Sequence, residues 1–384
     1  MACSVSQQQF QAVLSMKIPW IEWFPVYGWL KNVISAQICS IEYYLPDYRL
    51  GNDELSLIYA GWTSDKMVKK IGIEYRAICS PDETALDLGE KAAKKLFARG
   101  ECTSEEIDFI IFCTQSPDYF LPTSACILQE RLGIPIASGA LDFNLGCSGY
   151  VYGLAICKGL IETGAAKNIL LVTSETYSKY INANDRVSKP LFGDGASATL
   201  IRGVETDDSE PLIGPFVFGT DGSGAKMLIV PAGAHRMPTT EETATEKTDS
   251  RGNTRSQNQL FMHGQGIFAF AIERIPTLVN DLLQKSGKTR DDIDCYIFHQ
   301  ANKYMLDRLQ ELCSLTGRKY YNNILDKGNT VSSSVPIAMV DAANEGLLLP
   351  GETVMLVGFG VGLSWAAALV RLPDSLKSKV VAGT

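Results

Sequence analysis

Glu105-Glu106-Ile107-Asp108-Phe109-Ile110-Ile111-Phe112 and Asp291-Asp292-Ile293-Asp294-Cys295-Tyr296-Ile297-Phe298 share one pattern, an acidic pair, Ile-Asp and an apolar run, at an offset of 186 residues (293 − 107). Asn168-Ile169-Leu170-Leu171-Val172 and Thr353-Val354-Met355-Leu356-Val357 repeat at 185 (353 − 168). Upstream of each first run lies a segment with helical period, Ala85 to Phe97 and Ile267 to Leu283. The apolar runs are too continuous to keep a solvent face, as in strands covered on both sides. Each half therefore reads as helix, buried strand, helix, buried strand and a further strand. The chain is an α/β duplication, predicting two similar sheets around central helices, with active groups where strand ends converge. The halves are expected at 31–208 and 209–384, with a polar junction near 203–213.

Working outward, 384 residues with 46% hydrophobic and 20% charged side chains can bury a large core and are not a disordered chain. The net charge of −8 has the wrong sign for a protein whose main partner is a phosphate backbone, so nucleic acid is excluded as that partner. Ten cysteines include no C-x-x-C pair and none at metal-ligand spacing from a histidine, so no metal is expected. Most lie in apolar runs, as in Ile110-Ile111-Phe112-Cys113, where a thiol behaves as a small hydrophobe and a reducing compartment is implied. Neither a signal-peptide pattern nor an uncharged apolar run of membrane-spanning length is present, and a cytoplasmic location is expected.

Two segments stand outside the duplication. Residues 1–30 carry Trp20, Trp23 and Trp29 and read as an N-terminal extension, either packed over the body or an interfacial anchor near lipid. Met237 to Asn258 is rich in Thr, Glu, Ser and Asn, cannot belong to the core, and is expected as a surface loop or flexible flap.

The chemistry concentrates at strand ends. Asp142-Phe143-Asn144-Leu145-Gly146-Cys147-Ser148-Gly149 ends a strand and opens a helix whose apolar residues recur at 150, 151, 154, 157, 160 and 161. Cys147 thus stands at a helix N-terminus, where backbone N–H groups and the helix dipole are expected to lower its pKa and make it a nucleophile. Gly146 and Gly149 are expected to leave room for a substrate. His299 directly follows the second-half strand, in Phe298-His299-Gln300-Ala301-Asn302. Asn329 lies in Lys327-Gly328-Asn329-Thr330, a Gly-Asn turn leading into Ser and Pro residues that open a helix, and is a plain turn residue unless taken with Cys147 and His299. Gly358-Phe359-Gly360-Val361-Gly362 reads as a hairpin between strands whose N–H groups could serve an oxyanion. Gly193-Asp194-Gly195 reads as a turn between strands. Papain-like proteases also use Cys, His and Asn in that order, but Cys-Gly-Ser-Cys-Trp is absent and a duplicated α/β core is a different fold.

At these residues the sequence resembles the β-ketoacyl-ACP synthase III group of condensing enzymes in the thiolase superfamily, from about Lys31 to Leu372. The specific matches are Gly146-Cys147-Ser148-Gly149, Phe192-Gly193-Asp194-Gly195-Ala196, His299-Gln300-Ala301-Asn302, Gly328-Asn329-Thr330 and Gly358-Phe359-Gly360-Val361-Gly362, in family order. The resemblance implies a thiolase-like duplicated αβαβα five-layered fold and a homodimer. It further implies a catalytic triad of Cys147, His299 and Asn329, with an oxyanion hole from the backbone of Cys147 and Val361. The implied reaction is acyltransfer: Cys147 takes an acyl group from an acyl-CoA or acyl-ACP primer, and malonyl-ACP is decarboxylated and condensed with it, in fatty-acid or specialised lipid or polyketide synthesis. Its partners are acyl carrier protein and the primer, and no cofactor is required.

Departures from the family pattern bear on substrate binding. Lys66 and Lys70, ahead of Gly72-Ile73, stand where the family has a tryptophan and an arginine on the CoA adenine, and lysine cannot stack as well. Arg186 falls on a CoA-contacting arginine. Leu121, before Pro122, replaces a bulky aromatic that closes the partner subunit's acyl tunnel, implying a primer longer than acetyl. Two alternatives remain open: transfer of the Cys-bound acyl group to an amine or hydroxyl acceptor, and a non-catalytic partner subunit. The intact triad argues against the second.

Overall fold

The computed structural model describes residues 33–206 and 210–373; the expected extension at 1–30 lies outside the described residues. In the first half β1 (Val33–Tyr44), α1 (Ala85–Ala98), β2 (Phe109–Cys113), α2 (Ser124–Leu132), β3 (Gly139–Phe143), α3 (Gly149–Glu162), β4 (Asn168–Glu175) and β5 (Gly195–Thr206) follow one another. The second half repeats the series with β6 (Ile213–Thr220), α4 (Gly264–Ser286), β7 (Cys295–Phe298), α5 (Lys303–Leu312), β8 (Tyr320–Tyr321), α6 (Ser334–Asn344), β9 (Thr353–Gly360) and β10 (Ser364–Arg371).

The strand orders are β1-β5-β4-β2-β3 and β6-β10-β9-β7-β8, with the same pattern of parallel and antiparallel neighbours. Residues equated by the sequence repeat occupy equivalent registers: Ile111 pairs with Leu171 in one sheet and Ile297 with Leu356 in the other.

Period-two alternation explains why these strands read as unbroken apolar runs. Ile111 and Leu171 point inward, as do Ile297 and Leu356, onto Tyr150, Leu154 and Cys157 of α3 and Ala338 and Met339 of α6. Ile110, Phe112, Leu170 and Val172 point outward under Leu88, Ala92 and Leu96 of α1 and Leu128 of α2. Tyr296, Phe298, Met355 and Val357 point outward under Leu278, Leu282, Leu306 and Leu309 of α4 and α5. The result is five layers, helices, sheet, helices, sheet, helices, with α3 and α6 in the middle. α3 is apolar over most of its surface because sheets cover it on two sides, and it meets solvent chiefly towards its C-terminal end, at Gly159 and Glu162. Among the described residues no helix is long and apolar enough to cross a membrane.

The segment 237–258 is on the surface, as its composition demands, and it is folded. It contains a helical turn, Glu241–Ala244, and a hairpin pairing Lys247–Thr248 with Thr254–Arg255. It is fastened to the 182–185 loop: Asn182 Nδ2 donates to Glu246 Oε1 at 2.6 Å, and Arg255 Nε lies 3.3 Å from the buried Asp185 carboxylate. Polar side chains serve here because the contacts are with loop backbone and charge.

The Gly193-Asp194 turn differs from its expected role. It joins no two strands of a hairpin; Phe192 and Gly193 lie beside Asn329, with Gly193 N–H donating to Asn329 O at 2.9 Å and Asn329 N–H to Leu191 O at 3.0 Å. Asp194 accepts from the backbone N–H groups of Cys79 and Ser178, each at 2.9 Å, and so holds in place the 191–193 backbone against which the Asn329 turn is bonded.

Candidate active site

Cys147 is buried between the end of β3 and the first turn of α3. Its own backbone N–H and that of Val361, from the β9–β10 hairpin, face the sulfur and favour the thiolate. Burial opposes them and wins: the thiol is pushed up to about 12 by desolvation, with the Glu175 carboxylate adding to the shift. The expectation of an acidic sulfur at a helix N-terminus is thereby corrected. Partial charges of a helix end act at the edge of a water-excluded site, and excluding water costs a thiolate more than they return.

The flanking glycines are also read differently. A Cβ on Gly146 would lie 2.5 Å from Val361 Cγ1, and one on Gly149 would lie 2.4 Å from Cys113 Sγ, so both serve close packing of protein on protein. The glycine that leaves the sulfur accessible is Gly360, where a Cβ would lie 2.8 Å from Cys147 Sγ.

His299 follows β7 and is buried, with its ring edge-on to Phe359. Burial lowers its pKa to about 3, so the imidazole is neutral at physiological pH. Its Nδ1 lies 2.7 Å from Ser334 Oγ, and that oxygen also accepts from the Gln300 N–H at 3.4 Å. Ser334 Oγ can donate to Nδ1, and with that bond made the ring proton sits on Nε2. Asn329 Nδ2 stands 3.4 Å from His299 Nε2. The amide is oriented by its other end, since Oδ1 accepts from Val331 N–H at 2.9 Å. That bond holds Val331 at φ 53°, a left-handed conformation uncommon for a β-branched residue. Two neutral N–H donors therefore stand side by side, a geometry that can stabilise one anionic oxygen.

Cys147, Val361, His299 and Asn329 thus converge around the end of β9, at Phe359-Gly360-Val361. Ser334 and Glu175 are functional candidates that were not singled out from the sequence. Ser334 stood in a serine run assigned only to helix opening. Glu175 ends β4, and the 185-residue offset equates it with Gly360, a signal that was present in the repeat.

A cavity of about 900 Å³ opens beside Val361 and is lined by Gln115, Tyr177, Tyr180 and Leu260, with Phe120 at one wall. Residues 228–234 of the segment leading into the polar insertion form another wall. Leu121 is on the adjoining surface, 83% exposed, beside Phe120 at 84%.

Of the residues assigned to CoA, Lys70 and Arg186 come together through two aromatic rings. Lys70 Nζ lies 4.9 Å from the Trp62 ring, Trp62 meets Tyr59 edge to face at 6.1 Å, and the Arg186 guanidinium lies 5.8 Å from Tyr59. The insertion reaches this cluster, with Gly252 against the Arg186 guanidinium. Lys66 turns back on its own loop, donating to Gly61 O at 3.2 Å. Trp62 was missed because it falls four residues before the position at which the family pattern places its ring.

Residues 141–222 match the family model for 3-oxoacyl-[acyl-carrier-protein] synthase III, and residues 283–372 match that for its C-terminal part. A β-ketoacyl-[acyl-carrier-protein] synthase III of Caldanaerobacter subterraneus subsp. tengcongensis is 37% identical over 339 residues, covering 88% of this chain and 98% of its own. One from Chlamydia caviae is 35% identical over 343 residues, covering 89% and 98%. A crystal structure of a 3-oxoacyl-(acyl-carrier-protein) synthase III superposes with a TM-score of 0.86 at 48% identity, covering 88% of this chain and all of that one. A 3-oxoacyl-(acyl-carrier-protein) synthase from Burkholderia xenovorans gives 0.81 at 34%, covering 90% and 97%.

Proposed function

This chain belongs to the 3-oxoacyl-[acyl-carrier-protein] synthase III family, and from that premise we propose that Cys147, His299 and Asn329 carry out its condensation. It is a condensing enzyme of the acyltransferase class, acting in fatty-acid synthesis. The observation that carries the assignment of residues is the 3.4 Å approach of two oriented, uncharged donors, Asn329 Nδ2 and His299 Nε2.

In the first half-reaction the Cys147 sulfur attacks the carbonyl of an acyl thioester primer. A carbon–sulfur bond forms, the bond to the leaving thiol breaks, and the cysteine proton passes to that thiol. The tetrahedral oxyanion is met by the N–H groups of Cys147 and Val361. In the second half-reaction malonyl-ACP places its thioester oxygen against His299 Nε2–H and Asn329 Nδ2. The bond to the carboxylate breaks, carbon dioxide leaves, and its electron pair forms an enolate held by those two donors. The enolate carbon attacks the acyl-Cys147 carbonyl and expels the cysteine sulfur, which regains a proton, and a β-ketoacyl-ACP departs. A neutral histidine suits this role because it donates without exchanging its proton at working pH.

A primer longer or bulkier than acetyl is supported by Leu121 standing where a bulky aromatic would close the acyl tunnel, and by the open cavity of about 900 Å³ beside Val361, which has room for a longer chain. Its thiol carrier, when CoA, is recognised by Trp62, Lys70 and Arg186, since a flat ring and two cations match an adenine bearing phosphates. The enzyme is a homodimer through β3. Among the described residues that strand pairs along one edge only, and Phe120, Leu121 and Ile136, the last 96% exposed, surround it.

Intact-protein mass spectrometry after incubation with a graded panel of acyl-CoAs tests the reading. The expected result is one acyl adduct, strongest for medium or long chains and absent from Cys147→Ala. An adduct that persists in Cys147→Ala removes the assigned nucleophile.

A further inference from the structure

Glu175 is fully buried at the end of β4. Its carboxylate accepts from Gln115 N–H at 3.1 Å to each oxygen, from Ser116 Oγ at 2.9 Å and from Ser332 Oγ at 3.2 Å. Ser116 Oγ itself accepts from Thr176 N–H, so its proton is committed to the carboxylate. These donors come from two parts of the site. Gln115 lines the cavity beside Val361, and its side chain receives the Tyr177 hydroxyl and donates to Asn144 at 2.8 Å, three residues before Cys147. Ser332 belongs to the second half and follows the Asn329 turn directly.

We infer that Glu175 is a positioning residue: its carboxylate fastens the cavity wall at Gln115-Ser116 to the Asn329 turn, and its charge acts on the Cys147 sulfur. Nothing in the condensation requires a proton or an electron pair from it. The inference rests on Cys147 as the acylated group.

The groups facing this carboxylate leave its charge nearly uncompensated. They are Cys113 at the end of β2, Cys147 before α3, Tyr177 and Tyr180 in the turn after β4, Asp194 before β5, and Ser332. None is a cation. Desolvation accordingly raises the Glu175 pKa to about 8 in spite of its hydrogen bonds. Below that pH the group is a neutral acid, which keeps an oxygen to accept from Gln115 N–H while the other becomes an O–H donor. Above it the group is an anion that opposes the Cys147 thiolate. The rate of Cys147 acylation therefore rises less steeply with pH above 8 than below.

The test is the rate of Cys147 loading from an acyl-CoA, read by intact mass between pH 6 and 9.5, in wild type, Glu175→Gln and Glu175→Asp. The wild-type profile is expected to bend near pH 8. Glu175→Gln should lack the bend, so that its loading rate at pH 9 relative to its own rate at pH 7 exceeds the wild-type ratio by at least about fivefold. Glu175→Asp, which keeps the charge, should keep a bend. A Glu175→Gln profile superimposable on wild type overturns the inference. Should Glu175→Gln fail to fold, Ser332→Ala decides: removing a donor to the anion should move the bend to higher pH, and an unmoved or absent bend overturns it. Loss of loading in Cys147→Ala is independent of these outcomes, so failure of the nucleophile and failure of Glu175 are told apart.

Discussion

Asn329 Nδ2 and His299 Nε2 lie 3.4 Å apart, and each is turned towards the other's side by a bond at its far end, Val331 N–H to Asn329 Oδ1 at 2.9 Å and Ser334 Oγ to His299 Nδ1 at 2.7 Å. Two donors are thereby aimed before any substrate arrives, and no reorganisation is needed when an enolate forms.

Removing either donor should separate the two half-reactions. His299→Ala and Asn329→Ala are expected to load primer on Cys147 near the wild-type rate. Malonyl decarboxylation should fall by about 10²–10³ in each. Release of ¹⁴CO₂ from carboxyl-labelled malonyl-ACP measures this, and normal turnover in Asn329→Ala would falsify the role.

Ser334→Ala should lower decarboxylation less, by about tenfold, because the imidazole loses the partner that sets its tautomer while its donor remains. Ser334→Thr, which keeps a hydroxyl, should recover much of it. Equal rates in wild type and Ser334→Ala would place the serine outside the mechanism.

Gly360 tolerates no side chain beside the sulfur. Gly360→Ala puts a carbon 2.8 Å from Cys147 Sγ, and the strain is expected at about 1–3 kcal/mol of stability. Acyl loading should fall at least about a hundredfold with the fold retained, as followed by mass spectrometry beside thermal melting.

His299 makes stability depend on acidity in a defined direction. Its folded-state pKa, about 3, lies below the ordinary 6.5, so the unfolded chain binds the proton more readily between those values. The contribution is complete above pH 6.5 and is lost as pH falls towards 3. Glu175 has the opposite sign: its pKa is raised from 4.5 to about 8, so it lowers stability as pH rises across that window. Melting temperatures from pH 4 to 9 should show His299→Gln flattening the acid side and Glu175→Gln the alkaline side.

The insertion is expected to act on the acyl donor through Arg186. Arg255→Ala leaves the buried Asp185 carboxylate without its cation and should cost about 2 kcal/mol or more in urea denaturation. KM for acyl-CoA should rise with little change in kcat. An unchanged KM would make the insertion a purely surface feature.

Much of this protein is legible along the chain because hydrophobic alternation is a local property. Phe109 to Phe112 and Cys295 to Phe298 alternate between two covered faces, and their recurrence announces two sheets of one topology. Cys147, His299 and Val361 are legible because strand ends in such sheets lead to one surface. Asn329 was weaker, since a Gly-Asn turn accounts for itself.

What the chain alone determined was therefore which residues end strands, and in which half. Only tertiary structure decided that Ser334 meets the Nδ1 of the histidine, that Glu175 reaches across to Ser332, and that Gly360, not Gly146, clears the sulfur. It also reversed the expected acidity of Cys147. Protonation and close approach depend on how much water is excluded and on which distant groups stand within a few ångströms, and neither quantity is carried by residues adjacent in sequence.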